Sequence, residues 1–349
     1  MALILLVLSV APVVFFAHQI YKRDFDKEPG HILIKLFISG IGSAFLTLFI
    51  SSIITKLIPF FGYNTSDLTL IELVPYVFLG VALVEEFSKW IFVYTLEYND
   101  NEFNHLYDGI VYAAFVALGF ACFENILYVM QSGNISLDDG VRVAVVRAIL
   151  AIPGHLCDGV MMGYYLSMAK LATINKNFRL KKKNLMLSLV IPAIAHGIYD
   201  YLLFACDAAG NDVFLLLFFA FVVFFFIYAY KKIKQLSTNT FNLNPNYITE
   251  NERKRMESMN NVPVGSYGYA NGYNPNLYNN IQYGYPTANQ SYPQQSYNNM
   301  SYPQQTGYNQ LSYQQPIYNT QSYPQQTKQC TCCGKQGNGK FCTNCGRPL

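Results

Sequence analysis

Seven stretches of the chain are apolar for long enough to cross a bilayer: roughly 2–21, 32–55, 70–95, 107–130, 143–169, 185–206 and 212–230. A crossing helix needs about 20 mostly apolar residues, and the segments between these stretches are short and polar. The first stretch lacks a basic leading region and a small-x-small cleavage site before Tyr21-Lys22-Arg23, so it reads as a retained helix rather than a signal peptide. Residues 1–234 are therefore predicted to be an all-α polytopic membrane protein with about seven transmembrane helices. The pattern stops after Lys234. Residues 258–327 contain no Asp, Glu, Lys, Arg or His, yet carry 13 of the 28 Tyr among Asn, Gln, Ser, Pro and Gly. With few aliphatic residues this stretch cannot bury a core, so 235–329 reads as a disordered linker and 330–349 as a separate small unit.

Composition sharpens this division. The chain is 52% hydrophobic and 13% charged, which excludes a soluble globular enzyme. The balance of 24 basic to 21 acidic residues gives no nucleic-acid-binding surface. The loops are more informative than the total. Lys22, Arg23 and Lys27 follow the first span, Lys170, Lys176, Arg179, Lys181, Lys182 and Lys183 follow the fifth, and Lys231, Lys232 and Lys234 follow the seventh. The alternate loops offer only Lys56 and Arg142. Positive loops stay inside, so the N-terminus is expected outside and the C-terminus in the cytoplasm.

Ionisable groups inside a span oppose insertion by about 2.5–3.5 kcal/mol each on translocon scales, so each needs a reason. Glu85, Glu86 and Lys89 sit in the third span, Glu124 and Asn125 in the fourth, Arg147, His155 and Asp158 in the fifth, His196 and Asp200 in the sixth. Spacings of three or four residues put Glu85 and Glu86 on the face of Lys89, and His196 on the face of Asp200. With spans centred near 83, 118, 156 and 195, the two adjacent Glu and both His fall near mid-membrane, with Glu124 about 9 Å outward at 1.5 Å per residue. One Glu–Lys pair would serve as interhelical glue, which is the reading for Lys89. Three carboxylates and two imidazoles at one depth exceed that need. Bound zinc would supply the missing charge, and Glu and His are suitable ligands.

Taken in order along the chain, these residues give a family resemblance. Pro12, Tyr21-Lys22-Arg23-Asp24, Glu28-Pro29, Glu85-Glu86-Phe87-Ser88-Lys89, Asp108-Gly109, Gly119-Phe120 with Glu124-Asn125, Arg147 with His155, and His196 with Asp200 resemble the PrsW family of intramembrane proteases, related to the CAAX-protease and bacteriocin-processing superfamily. The resemblance covers roughly residues 12–205 and implies hydrolysis of a membrane-protein substrate, such as an anti-sigma factor, at the cytoplasmic membrane of a bacterium. It implies Glu85 as general base with Glu86 its partner or a ligand. His155 and His196 would bind zinc or, without metal, polarise water and the oxyanion. Glu124 stands where the wider superfamily often has His and is a third candidate ligand, while Asn125 and Asp200 would orient these groups or donate to an oxyanion. A proton-coupled transporter would also use buried carboxylates and His, but no paired Gly/Pro-broken segments mark inverted repeats. A non-catalytic scaffold working through the tail is the other alternative. Cys122, Cys157 and Cys206, inside spans, read as apolar packers.

The last segment carries Cys330-x-x-Cys333 and Cys342-x-x-Cys345, each followed by Gly, with Cys332 spare. This resembles the short C-terminal zinc-ribbon family. Four thiolates at this spacing make a closed structural zinc site, consistent with a cytoplasmic location where disulfides are rare. A unit this small folds only with its metal, and its expected use is docking a cytoplasmic protein partner.

Overall fold

The computed structural model describes residues 2–239, 241–244 and 247, together with the backbone at 328–329 and 336–337. The chain divides into two units, residues 1–288 and 289–349. In the first, every predicted span is helical: α1 (Ala2–Arg23), α2 (Gly30–Leu57), α3 (Leu70–Pro75) leading through a π-type stretch at Tyr76–Ala82 into α4 (Leu83–Leu96), α5 (Asp108–Gly133), α6 (Leu137–Ile149), α7 (Ala151–Ile174), α8 (Phe178–Ala209) and α9 (Asp212–Ser237). Six of these segments are individually long and apolar enough to cross a membrane, with α6 and α7 taken together; the run from Leu70 to Leu96 is a seventh helical rod. The protein is an integral membrane protein. In the second unit, Lys328 and Gln329 pair antiparallel with Gly337 and Gln336. Cys330, Cys333, Cys342 and Cys345 lie outside the described residues, as does nearly all of the expected linker.

The centre of the bundle is α5. Every residue from Asp108 to Cys122 is buried, whereas α1 and α9 turn Leu3, Phe15, Leu216 and Phe224 outward, as lipid-facing helices do. Small residues bring α5 close to its neighbours. A methyl group added at Gly119 would lie 2.1 Å from the Phe37 carbonyl of α2, and one at Gly163 of α7 would lie 2.1 Å from the Gly109 carbonyl of α5. Backbones in contact gain dispersion over a long interface, the form of association open to helices that lipid does not drive together.

Two boundaries differ from the sequence reading. The fifth span is not one helix over 143–169, because α6 ends at Ile149 and α7 begins at Ala151. Pro153 explains the break: it has no N–H for the Ile149 carbonyl, and its ring clashes with a carbonyl four residues back. The helical body also extends past residue 234. The last helix continues to Ser237, Leu243 is buried, and its N–H donates to the Asn104 carbonyl, so the first residues assigned to the linker belong to the bundle.

At the end of the bundle where α1 and α9 meet, the Arg23 guanidinium lies 5.0 Å from the Tyr230 ring centre. The same end buries Asp24, Glu28 and Asp108, whose carboxylate oxygens lie within 4.8 Å of one another. Asp108 accepts from the Asn104 and His105 N–H groups, while among the described residues neither Asp24 oxygen has a hydrogen-bond partner. Burial dominates the Asp24 carboxyl, in the loop beyond α1, and raises it from 3.8 to about 7 despite Lys27 nearby. A raised carboxyl holds an extra proton in the folded state, so its contribution is fully present below pH 3.8 and is lost as pH climbs to about 7. Asp24→Asn is therefore expected to raise the melting temperature of the detergent-solubilised chain at pH 8 and to leave it unchanged near pH 4. An equal shift at both pH values would remove the titration argument.

Candidate active site

The residues that build the site come from α4, α5, α6, α7 and α8, with Ser9 of α1 supporting them. Immediately before Glu85 the chain runs in the wider π form at Tyr76–Ala82, following Pro75, and this resets the angular register at which Glu85 and Glu86 leave α4. Gly197, one residue after His196, permits the Phe78 ring of that stretch to pack against α8, since an added methyl group would lie 2.5 Å from it. The Trp90 indole N–H donates to the Ser188 hydroxyl at 2.8 Å, tying α4 to α8 one helical turn further along.

Glu86, fully buried, is the hub. Its Oε1 accepts from Lys89 Nζ at 2.6 Å and lies 2.9 Å from His196 Nδ1. On its other side, His196 Nε2 stands 3.4 Å from Asp200 Oδ2 and 3.8 Å from Glu85 Oε2. His155 stacks edge-on to His196 with ring centres 5.3 Å apart. Its Nδ1 is 3.1 Å from Lys89 Nζ, and its Nε2 is 2.8 Å from Glu124 Oε2. Glu124 is also held by Arg147 at 2.7 Å, and Arg147 Nε donates to Asn125 Oδ1 at 3.0 Å. The Asn125 amide donates in turn to the Ser9 carbonyl of α1 at 2.8 Å.

All seven residues assigned from the sequence to the membrane site thus converge, but they do not all face one space. Donor atoms of Glu86, His155, Asp158 and His196 lie within 4.8 Å of one another, a buried set able to hold a metal. Asp158 stands in that group where the sequence reading placed Glu124, whose oxygen is occupied by Arg147 and His155. Asn125 is fully buried with both ends of its amide engaged, so it bridges Arg147 to the Ser9 carbonyl of α1. Beside the donor set lies a cavity of about 280 Å³, lined by Glu85, Glu124, Tyr128, Tyr199 and Asp200 among others. Cys122, Cys157 and Cys206 do not line it. Reading the sequence gave Asp158 no role, although its place three residues after His155, on the same helical face, was a usable signal.

The charge balance tests a metal. Among the described residues, Glu85, Glu86, Glu124, Asp158 and Asp200 face only Lys89 and Arg147 as permanent cations. Among the described residues, buried Glu86 Oε2 and Asp158 Oδ1 have no hydrogen-bond partner. Two imidazoles, two carboxylates and orphaned oxygens fit a divalent cation.

Fold and site together define a membrane-embedded hydrolase whose working groups sit on the inner faces of a helical bundle. The comparisons make the assignment specific. Residues 28–230 match the PrsW family intramembrane metalloprotease. The chain is 37% identical over 232 residues to Protease PrsW of Oceanobacillus iheyensis, covering 66% of this chain and 95% of that protein. It is 35% identical over 203 residues to Protease PrsW of Geobacillus kaustophilus (58% and 80%) and 33% identical over 228 residues to that of Bacillus subtilis (65% and 93%). No solved structure matches the chain. The chain belongs to the PrsW family, and it is a peptide hydrolase of the membrane.

Proposed function

We propose that the chain cleaves single-span membrane proteins, anti-sigma factors being the substrate class the family resemblance points to, by zinc-dependent hydrolysis. The observation that carries this reading is the buried donor set of Glu86, His155, Asp158 and His196 opening onto the cavity that Glu85 lines. These four residues would hold the metal, which when bound supplies a Lewis acid and brings water within reach of a base near neutral pH. Glu85, partly open to the cavity where Glu86 is sealed, takes the proton of the attacking water and returns it to the leaving amine. Asp200 holds the His196 ring and Glu124 holds His155. Arg147, placed by Asn125, holds Glu124 turned towards His155.

A second reading has its own observation. The Lys89 ammonium already sits between Glu86 and His155, so it compensates part of the charge a metal would, as a metal-free glutamic mechanism needs. Metal analysis separates the two. With Cys330, Cys333, Cys342 and Cys345 all changed to Ser in the full chain, one retained equivalent of zinc is expected. None retained, with cleavage intact, would establish the metal-free reading.

The basic loops support an N-terminus outside and a C-terminus in the cytoplasm of a bacterium. On this orientation the four cysteines hold a structural zinc, and the ribbon docks a cytoplasmic partner. The spacing of the cysteines supports this part of the proposal.

A further inference from the structure

A second cavity, of about 240 Å³, lies at the basic end of the bundle between α7, α8 and α9. Its lining includes Tyr164 and Tyr165 from α7, Lys183 and Asn184 from α8, and Tyr228 and Lys232 from α9. Among the described residues no carboxylate lines it, and neither lysine has an ion-pair partner. Lys232 instead lies over aromatic faces, its Nζ 4.1 Å from the Tyr164 ring centre and 5.2 Å from that of Tyr228. That arrangement holds the ammonium in place without neutralising it. Asn184 is only 6% exposed, and among the described residues its side-chain amide has no hydrogen-bond partner, so what remains accessible of it opens into this space.

Depth narrows the ligand. Lys183 lies five residues into α8 and Lys232 five residues before the end of α9, so each stands roughly 8 Å from a helix end at 1.5 Å per residue. That is the level where lipid phosphates meet acyl chains, and tyrosines favour it. Met168 and Leu187 add an apolar floor that a free inorganic anion would not use. We infer that this cavity binds the phosphate of an anionic lipid headgroup, with Lys183 and Lys232 as the charge partners and Asn184 as a hydrogen-bond donor. Basic pockets between transmembrane helices at a cytoplasmic face take such headgroups by the same chemistry.

The full chain in detergent micelles, supplied with phosphatidylglycerol or phosphatidylcholine and examined by native mass spectrometry, tests this directly. The unaltered chain is expected to retain phosphatidylglycerol in preference to phosphatidylcholine. Lys183→Gln with Lys232→Gln should weaken that retention by about thirtyfold, two lysines' worth of headgroup attraction. Arg179→Gln with Lys182→Gln, exposed changes at the same end, should leave it unaltered. Equal retention of both lipids by the unaltered chain overturns the inference without recourse to any variant, and so does undiminished retention by the first pair. If inorganic phosphate alone stabilises the chain to heat as much as phosphatidylglycerol does, and loses that effect in the first pair, the lipid assignment falls in favour of a free anion.

Discussion

Glu85→Gln is expected to slow cleavage of a single-span membrane substrate by about 10²–10⁴-fold, the range lost with a positioned general base. Melting of the full chain should change little, because Glu85 lines the cavity and the bundle is tied through Glu86, Lys89 and His196 instead. Site zinc should also persist, since Glu85 is not in the donor set. His196→Ala should behave differently. It removes a donor, frees one side of Glu86 and strands Asp200, so cleavage and bound metal are expected to fall together. The contrast is the test: cleavage lost with metal kept for one variant, both lost for the other. A Glu85→Gln protein cleaving at the normal rate would end its assignment as base.

Gly163→Val should have the largest effect on assembly. Its side chain would begin 2.1 Å from the Gly109 carbonyl and 2.6 Å from the Ile110 Cα, both backbone atoms of the central helix. Neither can swing aside, so α5 and α7 must separate along the interface that carries Asp108 at one end and brings His155 to Glu124 at the other. Overpacking a close interface costs about 3 kcal/mol at the upper end of the usual range. The variant is expected to accumulate poorly and to melt well below the unaltered chain. Gly154→Ala is the control, since its nearest new neighbour is 3.6 Å away on the Tyr199 ring. If Gly163→Val melts normally, the backbone contact between α5 and α7 is not as close as described.

Much of this was legible in the sequence because a bilayer leaves few options. Apolar runs of fixed length gave the helices, and the rarity of charge within them singled out Glu85, Glu86, Glu124, His155 and His196. What could not be read was angular. Asp158 and Glu124 are both acidic and both near His155, and only the packing of α5 against α7 decides which reaches the donor set and which meets Arg147. The π stretch leaves no mark in hydrophobic periodicity over seven residues, yet it sets where Glu85 points. Pro153 was visible, but α6 was absorbed into a longer apolar run because its own residues are hydrophobic enough to continue the pattern. The early motifs Asp24, Glu28 and Asp108 were recognised as a pattern without a place; folding brings them to one buried cluster away from the hydrolytic groups.

The recessed position of the hydrolytic cavity bears on what it can admit. Its wall includes Glu85, Glu124, Tyr199 and Asp200, carried on three helices. In an intact α-helix each carbonyl is engaged by the N–H four residues on. On the proposed reaction the scissile carbonyl is freed to face Glu85, so the substrate segment unwinds locally there. Within a bilayer that unwinding exposes unsatisfied amides, and its cost varies along a helix with glycine, proline and polar residues. On the proposed reaction the scissile bond is then chosen largely by where the substrate's own helix is weakest, with the side chains flanking it secondary.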